Sequence, residues 1–383
     1  MGKDTFSEED RGHMRRALGL ARRGRGWVEP NPVVGAVVVG RDGRVAGEGF
    51  HRFYGGPHAE VYALGSAGKR ARGGTLYVTL EPCCHWGKTP PCTDAVIASG
   101  VKRVVVAMVD PFARVRGKGI GRLRRAGIRV EVGLMEAEAR RVNGPFLRRI
   151  AEGRPWVIAK WAQSLDGAVA TAGGESKWIS GEESRGWVQA LRGRMDGIVV
   201  GIGTALADDP LLTARPEAKR DLRRVATRIV LDSECRLPVE SRLVQSVHGA
   251  PVMVVHGKGL SRAGERRRRE LERRGVMVWA VGAAGGGGAG LDVGELLVHL
   301  GEMEYSNVLV EGGPSVMGEF FARGVVDEAH VFISPLLIPG ARARRAVGGM
   351  DVGKLAEALR LEIAGVERSG SDVHVTAYAR GGG

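Results

Sequence analysis

The feature that most constrains this chain is an alternation of apolar strand-like runs with amphipathic helical patterns, which fills the first 150 residues and starts afresh at Pro155. Strands and helices that follow one another in turn predict an α/β fold with mainly parallel sheets covered by helices. Between the two series, the segment Glu152-Gly153-Arg154-Pro155 contains glycine and proline, which break the preceding helix. A length of 383 residues also favours two domains. We therefore expect one domain over residues 1–150 and a second over 155–383.

Local signals predict the individual elements. Ser7 is a candidate helix N-cap, because three acidic residues and an apolar helical repeat follow it. The pair Asp42-Gly43 between the β-prone runs 33–39 and 45–50 predicts a hairpin. The other elements predicted for the first half are strands at 75–80 and 103–109 and helices after Cys92 and up to Gly127. The strands predicted for the second half are 156–161, 198–200, 228–231, 252–255, 276–281, 308–310, 329–334 and 373–379, and 282–290 is expected to be a glycine-rich loop.

Composition excludes several classes of protein. The net charge is +14, and nearly all of it lies in the first 150 residues. Such a surplus attracts nucleic acid or phosphorylated ligands, although arginines on solvated helix faces are the simpler interpretation. The chain has four cysteines and no apolar run long enough to cross a bilayer, and its first ten residues are acidic where a secretory signal would be basic and then apolar. We expect a cytoplasmic protein with reduced cysteines and no membrane contact.

Three of the four cysteines fall between Cys83 and Cys92, downstream of His58-Ala59-Glu60. In a reducing compartment this clustering indicates a metal site. A catalytic zinc site uses three thiolate or imidazole ligands and keeps its fourth position for water. His58, Cys83 and Cys92 supply those ligands. Glu60 can reach the water without ligating the metal, take its proton and hand it to a leaving amine.

The cluster is also compatible with roles that involve no metal or a different set of ligands. A lone His-Ala-Glu is weak evidence for a metal site, and a pair of cysteines often belongs to a hydrophobic core. Cys84 and His85 are alternative ligands, although adjacent side chains rarely both reach one metal. His58 and Cys92 each open a predicted helix, whose N-terminal N–H groups favour a thiolate. Cys235 stands alone and is expected to be a buried apolar residue.

The second half lacks the Gly-x-Gly-x-x-Gly of an ordinary Rossmann site after its first strand. Two other turns can bring backbone N–H groups close to a phosphate. One is Gly201-Ile202-Gly203-Thr204, directly after a predicted strand. The second is Glu311-Gly312-Gly313-Pro314-Ser315, where a strand ends and a helix begins. Each turn alone is weak evidence, because most glycine pairs after strands are simply turns.

In this order, His58-Ala59-Glu60 and Glu81-Pro82-Cys83 resemble the zinc-dependent cytidine-deaminase superfamily. The long spacing from Cys83 to Cys92 is more similar to the deaminase half of the bifunctional riboflavin-biosynthesis deaminase/reductase family. Further matches to that family are Asn31-Pro32, Val34-Gly35-Ala36, Gly49, His51, Gly56-Pro57, Asp110-Pro111 and Gly117-Lys118-Gly119. The resemblance implies an α/β/α sandwich, a Zn²⁺ ion and a ribosylamino-diaminopyrimidinone 5′-phosphate substrate that loses its ring amine as ammonia.

The same resemblance implies three substrate contacts in the deaminase half, namely Asn31, His51 and Asp110. Each residue also fits an ordinary structural role: Asn31 as a turn residue before proline, His51 as a surface imidazole and Asp110 as a loop cap. Phe112-Ala113 departs from the family, which usually has Asn-Pro at this point. The contacts of that loop are therefore expected to differ.

Motifs of the second half resemble the reductase half of the same family, whose domain has a fold similar to dihydrofolate reductase. These motifs are Lys160, Ser164-Leu165-Asp166-Gly167, the segment 174–179, Ala207-Asp208-Asp209-Pro210, Leu212-Thr213 and Arg215. The resemblance implies that NADPH reduces the ribosyl group to a ribityl chain. The residues that it assigns to NADPH are Ala162, Trp178, Thr204, Asp208, Ser233, Gly313, Pro314 and Ser315. Those that it assigns to the substrate are Ser176, Arg192, Leu212, Arg215 and Glu311.

Several of these reductase residues fit ordinary structural roles as well. Arg192 fits a solvated helix position, Asp208 an N-cap or turn, and Trp178 plain core packing. Ala168 stands where the family commonly has a basic residue, so one basic contact is expected to be missing.

Two rival functions remain open. One is a nucleic-acid base deaminase, which the basic first half favours. The other is a zinc-stabilised nucleic-acid-binding module with structural cysteines and a basic patch at Arg266–Arg269. The first conflicts with the long cysteine spacing, and the second gives Glu60 no role. We therefore expect a small phosphorylated pyrimidine as the partner, no nucleic acid, and a homo-oligomer.

Overall fold

The computed structural model of the protein describes residues 6–215, 223–283 and 290–379. The chain divides into two compact units, one up to Glu152 and one from Gly153 onward. The glycine-rich loop predicted at 282–290 lies mostly outside the described residues. Within the described residues, no helix is both long and apolar enough to cross a bilayer.

In the part of the chain that the structure describes, the first unit has six α-helices and a five-stranded sheet. The helices are α1 (Glu8–Arg22), α2 (Ala59–Ala67), α3 (Cys92–Ser99), α4 (Lys118–Arg125), α5 (Glu136–Val142) and α6 (Gly144–Glu152). The strands are β1 (Gly35–Val39), β2 (Val45–Phe50), β3 (Thr75–Val78), β4 (Arg103–Val106) and β5 (Arg129–Val132). The predicted hairpin is confirmed as β1 and β2, and the predicted helix after Cys92 is confirmed as α3.

The sheet of the first unit has the order β2-β1-β3-β4-β5. Strands β3, β4 and β5 are parallel, whereas β1 pairs antiparallel with both β2 and β3. The expectation of a mainly parallel sheet is therefore wrong for this unit, because the hairpin places two antiparallel pairings on one side. Strand β1 is buried along its whole length between helices, as expected for a central strand covered on both faces.

Helix α1 begins at Ser7, as predicted. The Ser7 hydroxyl accepts a hydrogen bond from the Asp10 N–H, and the Asp10 carboxylate accepts one from the Ser7 N–H, which completes a capping box. The same carboxylate is buried and accepts hydrogen bonds from the Tyr77 hydroxyl at 2.6 Å and from both terminal nitrogens of Arg103. Arg103 also pairs with Glu131 on β5. These groups fasten α1 to three strands of the sheet.

The second unit contains a nine-stranded sheet with helices on both faces, and a separate two-stranded ribbon. Its helices are α7 (Glu182–Arg192), α8 (Ile202–Asp208), α9 (Arg242–Gln245), α10 (Arg262–Arg273), α11 (Val293–Glu302) and α12 (Pro314–Ala322). Its strands are β6 (Trp156–Ser164), β7 (Ala168–Ala170), β8 (Gly197–Gly201), β9 (Thr227–Leu231), β10 (Val252–Gly257), β11 (Met277–Val281), β12 (Asn307–Val310), β13 (Glu328–Ser334), β14 (Arg344–Arg345), β15 (Leu361–Ser369) and β16 (Asp372–Ala379).

The large sheet has the order β11-β10-β9-β8-β12-β6-β13-β16-β15. All pairings from β11 to β13 are parallel, and the last two are antiparallel. The prediction of a mainly parallel sheet is confirmed here. Two apolar clusters cover its two faces, and strands β8 and β12 are buried throughout. The ends of β6, β8, β9 and β12 consequently lie side by side at one edge, where parallel α/β sheets bind their ligands.

Candidate functional site

In the first unit, two helix starts and one loop bring the predicted metal ligands together. His58 is the N-cap residue of α2, Cys92 is the first residue of α3, and Cys83 lies in the loop after β3. The backbone N–H of Cys92 donates to the Cys83 sulfur at 3.3 Å. The parallel pairing of β3 with β4 directs the loop after β3 toward the end of the sheet where α3 begins. The predicted helix starts at His58 and Cys92 are thus confirmed.

The three ligand atoms lie close to the spacing that zinc requires, with the pair formed by His58 and Cys92 somewhat shorter. Nδ1 of His58 lies 3.2 Å from the Cys92 sulfur and 3.6 Å from the Cys83 sulfur, and all three atoms lie within 4.8 Å of one another. Zinc bonds of about 2.3 Å to sulfur and 2.0 Å to nitrogen in a tetrahedron separate ligand atoms by roughly 3.5–3.8 Å. Hydrogen bonds from Cys92 and His58 lower the pKa of Cys83, which favours the thiolate that a metal binds. The residues therefore fit a zinc ion.

Glu60 belongs to the same site and lies in the first turn of α2. Its side chain is buried, and burial raises the pKa of the carboxyl group. Its Oε2 atom is buried and has no hydrogen-bond partner among the described residues. A buried carboxylate with a free oxygen is costly unless a ligand uses it, so this atom is available to a water or substrate at the site.

The alternative ligands Cys84 and His85 do not join this cluster. Within the described ranges, His58, Cys83 and Cys92 form the single grouping of three such side chains close enough for one metal. The Cys84 sulfur has the Arg114 carbonyl as a partner, at 4.0 Å. The His85 ring instead lies 6.2 Å from the Phe112 ring, so the departure from the family at Phe112 provides an aromatic contact beside the site.

The three predicted substrate residues of this unit have different environments. His51 is buried, so its interpretation as a surface imidazole is wrong. Its ring lies 5.1 Å from that of His58, and burial lowers the pKa of His51 to about 4. Burial also raises the pKa of Asp110 to about 6, and its carboxylate caps the loop by accepting the Phe112 N–H at 2.8 Å. Asn31 is partly buried, and its N–H donates to the Val28 carbonyl.

Glu81 supports the site in a way that its place in the Glu-Pro-Cys motif does not reveal. Its buried carboxylate accepts three backbone N–H groups, from Asp110 at 3.2 Å, Gly117 at 2.9 Å and Ile120 at 3.1 Å. It thereby ties the Asp110 loop and the start of α4 to the chain that carries Cys83. An acidic residue directly after an apolar strand is the sequence feature that could have predicted a buried carboxylate here.

In the second unit, both predicted phosphate-binding turns lie at the carboxyl edge of the sheet. β8 ends at Gly201 and β12 at Val310, and these strands are parallel neighbours. Helix α12 has Gly313 as its N-cap and Pro314 in its first turn, with Ser315 next, as the sequence predicts. A Cβ on Gly313 would lie 3.4 Å from the Thr204 hydroxyl, so the two turns are in contact.

Arg192, Glu311 and Lys160 form a partly buried charged group beside these turns. Arg192 Nε donates to Glu311 at 3.1 Å, and its side chain is only 15% exposed, so its interpretation as a solvated helix residue is wrong. Burial alone would raise the pKa of Glu311. The positive charges of Arg192 and Lys160 outweigh this effect and lower it. Burial lowers the pKa of Lys160. The two predicted substrate residues are thus paired with each other.

The predicted cofactor residues are spread along the same edge. Trp178 is 71% exposed, so its interpretation as core packing is wrong, and the Arg185 guanidinium lies over its ring. Lys177 joins this segment to Asp208 at the end of α8, with 3.1 Å between Nζ and Oδ1. Ser233 follows β9, and Ala162 lies on β6.

The remaining substrate candidates lie on two loops. Ser176 precedes Trp178 in the segment before α7, and Leu212 and Arg215 lie in the segment after α8. Leu212 is buried, and the Arg215 N–H donates to the side chain of Gln189 at 2.9 Å. Ala168, the second departure from the family, lies on β7 opposite Arg345.

Two of the four arginines proposed as a basic patch on α10, Arg267 and Arg268, have acidic or carbonyl partners. Arg268 pairs with Glu265 and Glu272, and Arg267 donates to the carbonyl of Cys235 at 3.1 Å. Cys235 itself is fully buried, as predicted. This arrangement argues against a nucleic-acid-binding face on α10.

Comparisons with known proteins agree with the two units. Residues 7–108 match the cytidine and deoxycytidylate deaminase zinc-binding region, and residues 155–375 match the RibD C-terminal domain. The riboflavin biosynthesis protein RibD of Aquifex aeolicus is 41% identical over 96% of this chain and 97% of that protein. RibD of Escherichia coli is 40% identical over 95% of this chain and 98% of that protein.

Solved structures give the same result. RibD of Acinetobacter baumannii has a TM-score of 0.82 and 36% identity, with 97% of this chain and 99% of that chain covered. A diaminohydroxyphosphoribosylaminopyrimidine deaminase/5-amino-6-(5-phosphoribosylamino)uracil reductase of Thermotoga maritima has a TM-score of 0.80 and 34% identity, with the same coverage. The predicted fold class is confirmed as a cytidine-deaminase-like domain followed by an α/β domain that matches the RibD C-terminal domain. The chain belongs to the RibD family of bifunctional riboflavin-biosynthesis enzymes, with a zinc-binding deaminase half and a reductase half.

Proposed function

We propose that the first unit deaminates 2,5-diamino-6-(5-phosphoribosylamino)pyrimidin-4(3H)-one by hydrolysis and that the second reduces the ribosyl group of the product with NADPH. The activities in the name of the Thermotoga maritima relative support this assignment. The observation that carries it is the cluster of His58, Cys83 and Cys92 with the unpartnered Glu60 carboxylate oxygen beside it. The near full-length similarity to RibD proteins does not favour the alternative of a nucleic-acid base deaminase.

In the deaminase unit, His58, Cys83 and Cys92 hold Zn²⁺. When bound, this ion lowers the pKa of a coordinated water to near neutrality. Glu60 takes a proton from the attacking water and delivers it to the departing ring amine, which leaves as ammonia. Its buried carboxyl group, with one oxygen that has no partner among the described residues, can hold this proton between the two transfers.

Asn31, His51 and Asp110 orient the pyrimidine in this unit. The low pKa of His51 keeps its ring neutral at physiological pH, and its Nε2 atom is buried without a partner. A neutral imidazole can donate or accept one hydrogen bond to a ring substituent of the substrate. The fixed Asp110 loop supplies a carboxyl group on the neighbouring side.

In the reductase unit, NADPH would supply a hydride to the anomeric carbon of the ribosyl group, whose bond to the ring oxygen breaks as that oxygen takes a proton from solvent. Residues at the sheet edge bind the cofactor: Ala162, Trp178, Thr204, Asp208, Ser233, Gly313, Pro314 and Ser315. Trp178 offers an exposed aromatic face, and the N-terminus of α12 offers free N–H groups to a phosphate.

The substrate contacts of the reductase are Ser176, Arg192, Leu212, Arg215 and Glu311. Arg192 holds the Glu311 carboxylate in a fixed orientation. Glu311 can then accept hydrogen bonds from ribose hydroxyls, and Arg215 can bind the 5′-phosphate through its planar fork of donors.

The partner of the enzyme is a small phosphorylated pyrimidine. We place the protein in the cytoplasm, where its free cysteines stay reduced. A homo-oligomer remains a prediction, and sedimentation velocity of the full chain can test it.

A coupled assay tests the proposal. Zinc-loaded protein receives the diaminopyrimidinone phosphate and NADPH, and ammonia release and NADPH oxidation are followed separately. Glu60→Gln is expected to slow ammonia release by about 10²–10⁴-fold, because a general acid–base group is removed. Reduction of the separately supplied deaminated substrate should continue at the wild-type rate. Undiminished ammonia release in the variant would show that Glu60 does not carry the proton.

A further inference from the structure

We propose that Arg228 is a positioning residue of the reductase, whose buried guanidinium fixes the segment 209–215 against the sheet and thereby sets the place of Leu212 and Arg215. This inference rests on the proposed function, because it takes that segment to be part of the substrate site. Arg228 itself touches neither substrate nor cofactor in this proposal.

Arg228 lies on β9 and is fully buried. Its partners within the described residues are carbonyl oxygens and one hydroxyl, with no carboxylate among them. A charged group buried in this way costs more than an apolar side chain of equal volume. Burial lowers the pKa of Arg228 to about 10, so the group stays charged at neutral pH. The planar guanidinium provides several N–H donors in fixed directions, which can hold separate parts of the chain in place.

These donors join three separate pieces of the chain. Nη1 donates to the Leu211 carbonyl at 3.1 Å and to the Ser246 hydroxyl at 2.7 Å. Nη2 donates to the Ser246 carbonyl at 3.1 Å and to the Ala250 carbonyl. The segment after α8 is thus bound to β9 and to the chain between α9 and β10 through one planar group.

The segment needs such support because its backbone is strained. Leu212, directly after the carbonyl that Arg228 binds, has a φ of +52°, and Asp209 has a φ of +38°. Residues other than glycine rarely adopt this region, and they keep it only where the surroundings fix it. The Leu212 side chain is also buried, and its packing helps to hold the turn in this conformation.

Two further hydrogen bonds hold the ends of the same segment. The Asp209 carboxylate accepts the Arg242 N–H at 2.9 Å, and the side-chain oxygen of Gln189 accepts the Arg215 N–H at 2.9 Å. Gln189 lies on α7, the helix that ends with Arg192. Gln189 therefore sets Arg215 relative to Arg192, while Arg228 fixes the middle of the segment.

The test compares Arg228→Lys and Gln189→Ala with the wild-type full chain. Each variant is expected to raise the KM for the 5-amino-6-(5-phosphoribosylamino)uracil substrate by roughly five- to tenfold, because one or more hydrogen bonds that place Arg215 are lost. The kcat and the KM for NADPH should stay within about twofold, since chemistry and cofactor contacts are unchanged. Hydrogen exchange should become faster at the amide of Arg215, which donates to Gln189, and stay slow in β9.

Arg154→Lys is the matched control. Arg154 is a second buried arginine of this unit, and it pairs with Asp327 at 2.8 Å. Its replacement should leave the KM for the pyrimidine unchanged. Ser246→Ala removes the hydroxyl that accepts from Arg228 Nη1 and should raise the same KM, so it tests the role of Arg228 even if Arg228→Lys does not fold.

Arg215→Ala tests the substrate contact of Arg215 separately from the positioning role of Arg228. If it raises the KM for the pyrimidine while the folded Arg228 and Gln189 variants do not, the positioning role is wrong and the substrate segment stands. If Arg215→Ala leaves that KM unchanged, the segment is not part of the substrate site, and both the assignment of Arg215 and the inference built on it fall. An equal loss of NADPH affinity in Arg228→Lys also overturns the inference, because it would show general damage.

Discussion

Replacement of Asp10 by asparagine should strongly destabilise the first unit. The Asp10 carboxylate is buried and accepts hydrogen bonds from the Ser7 N–H, the Tyr77 hydroxyl and two nitrogens of Arg103. Asparagine cannot carry the charge that offsets the partly buried guanidinium of Arg103. Removal of one partner of a buried pair costs about 3–5 kcal/mol. Glu131 still pairs with Arg103, so we expect the lower end, about 3 kcal/mol.

The size of this effect should depend on pH. Hydrogen bonds from Arg103, and then those from Tyr77 and Ser7, outweigh burial and hold the pKa of Asp10 well below its ordinary value. A carboxyl group with a depressed pKa in the folded state stabilises fully above its unfolded pKa of about 4 and loses this contribution as the pH falls toward the folded pKa. The difference between wild type and Asp10→Asn should therefore be constant from about pH 5 to 8 and shrink below about pH 4.

Hydrogen exchange of the amides in β3 and β4 measures the free energy of opening of this unit in the full chain. Glu9→Gln is the matched control, because it removes an exposed charge from the same first turn of α1. It should change the free energy by no more than about 0.5 kcal/mol. An Asp10→Asn effect as small as that of Glu9→Gln, or one that grows as the pH falls below about 4, would refute the role given to this carboxylate.

Two further predictions concern close packing and the cofactor. In Gly35→Ala, the new Cβ would lie 2.0 Å from the Ala17 carbonyl oxygen, so the first unit should lose about 1–3 kcal/mol of stability in the same exchange experiment. Gly12→Ala on α1 meets nothing within 4 Å and should instead gain roughly 0.5–1 kcal/mol; equal signs for the two would contradict the packing of α1 on β1. Trp178→Ala should raise the KM for NADPH about tenfold, as expected for the loss of an aromatic contact surface, without change in the melting temperature, because the indole is 71% exposed. Trp86→Ala, in the other unit, is the control, and an unchanged KM in Trp178→Ala would remove this residue from the cofactor site.

The metal site is the part of the protein that the sequence predicts best. Its ligands have distinctive chemistry, and His58 and Cys92 stand at helix starts that local signals reveal. The buried strands of the second unit are predicted well for a similar reason, since their valine-rich runs leave few alternatives. Strand β15 escapes prediction, because it lies at the sheet edge and alternates exposed polar and apolar residues without a buried face.

Contacts between residues distant in the chain cannot be predicted in the same way. Arg192 at the end of α7 pairs with Glu311 directly after β12, 119 residues further along the chain. No local sequence pattern predicts this contact. The roles of Glu81 and Arg228 have the same origin, because each binds backbone groups of loops whose courses only the folded structure defines. The antiparallel pairing of β1 with β3 is likewise hidden, since the alternation of strands and helices does not reveal how the predicted hairpin joins the sheet.

The metal content of cysteine variants tests the central claim most directly. After dialysis against metal-free buffer without chelator, elemental analysis should find one zinc per chain in the wild type and in Cys84→Ser, whose sulfur lies outside the cluster. Cys83→Ser, one residue away, should lose most of the zinc and the release of ammonia, and it should keep the reductase activity. Equal zinc in Cys83→Ser and Cys84→Ser, or none in the wild type, would contradict the site formed by His58, Cys83 and Cys92.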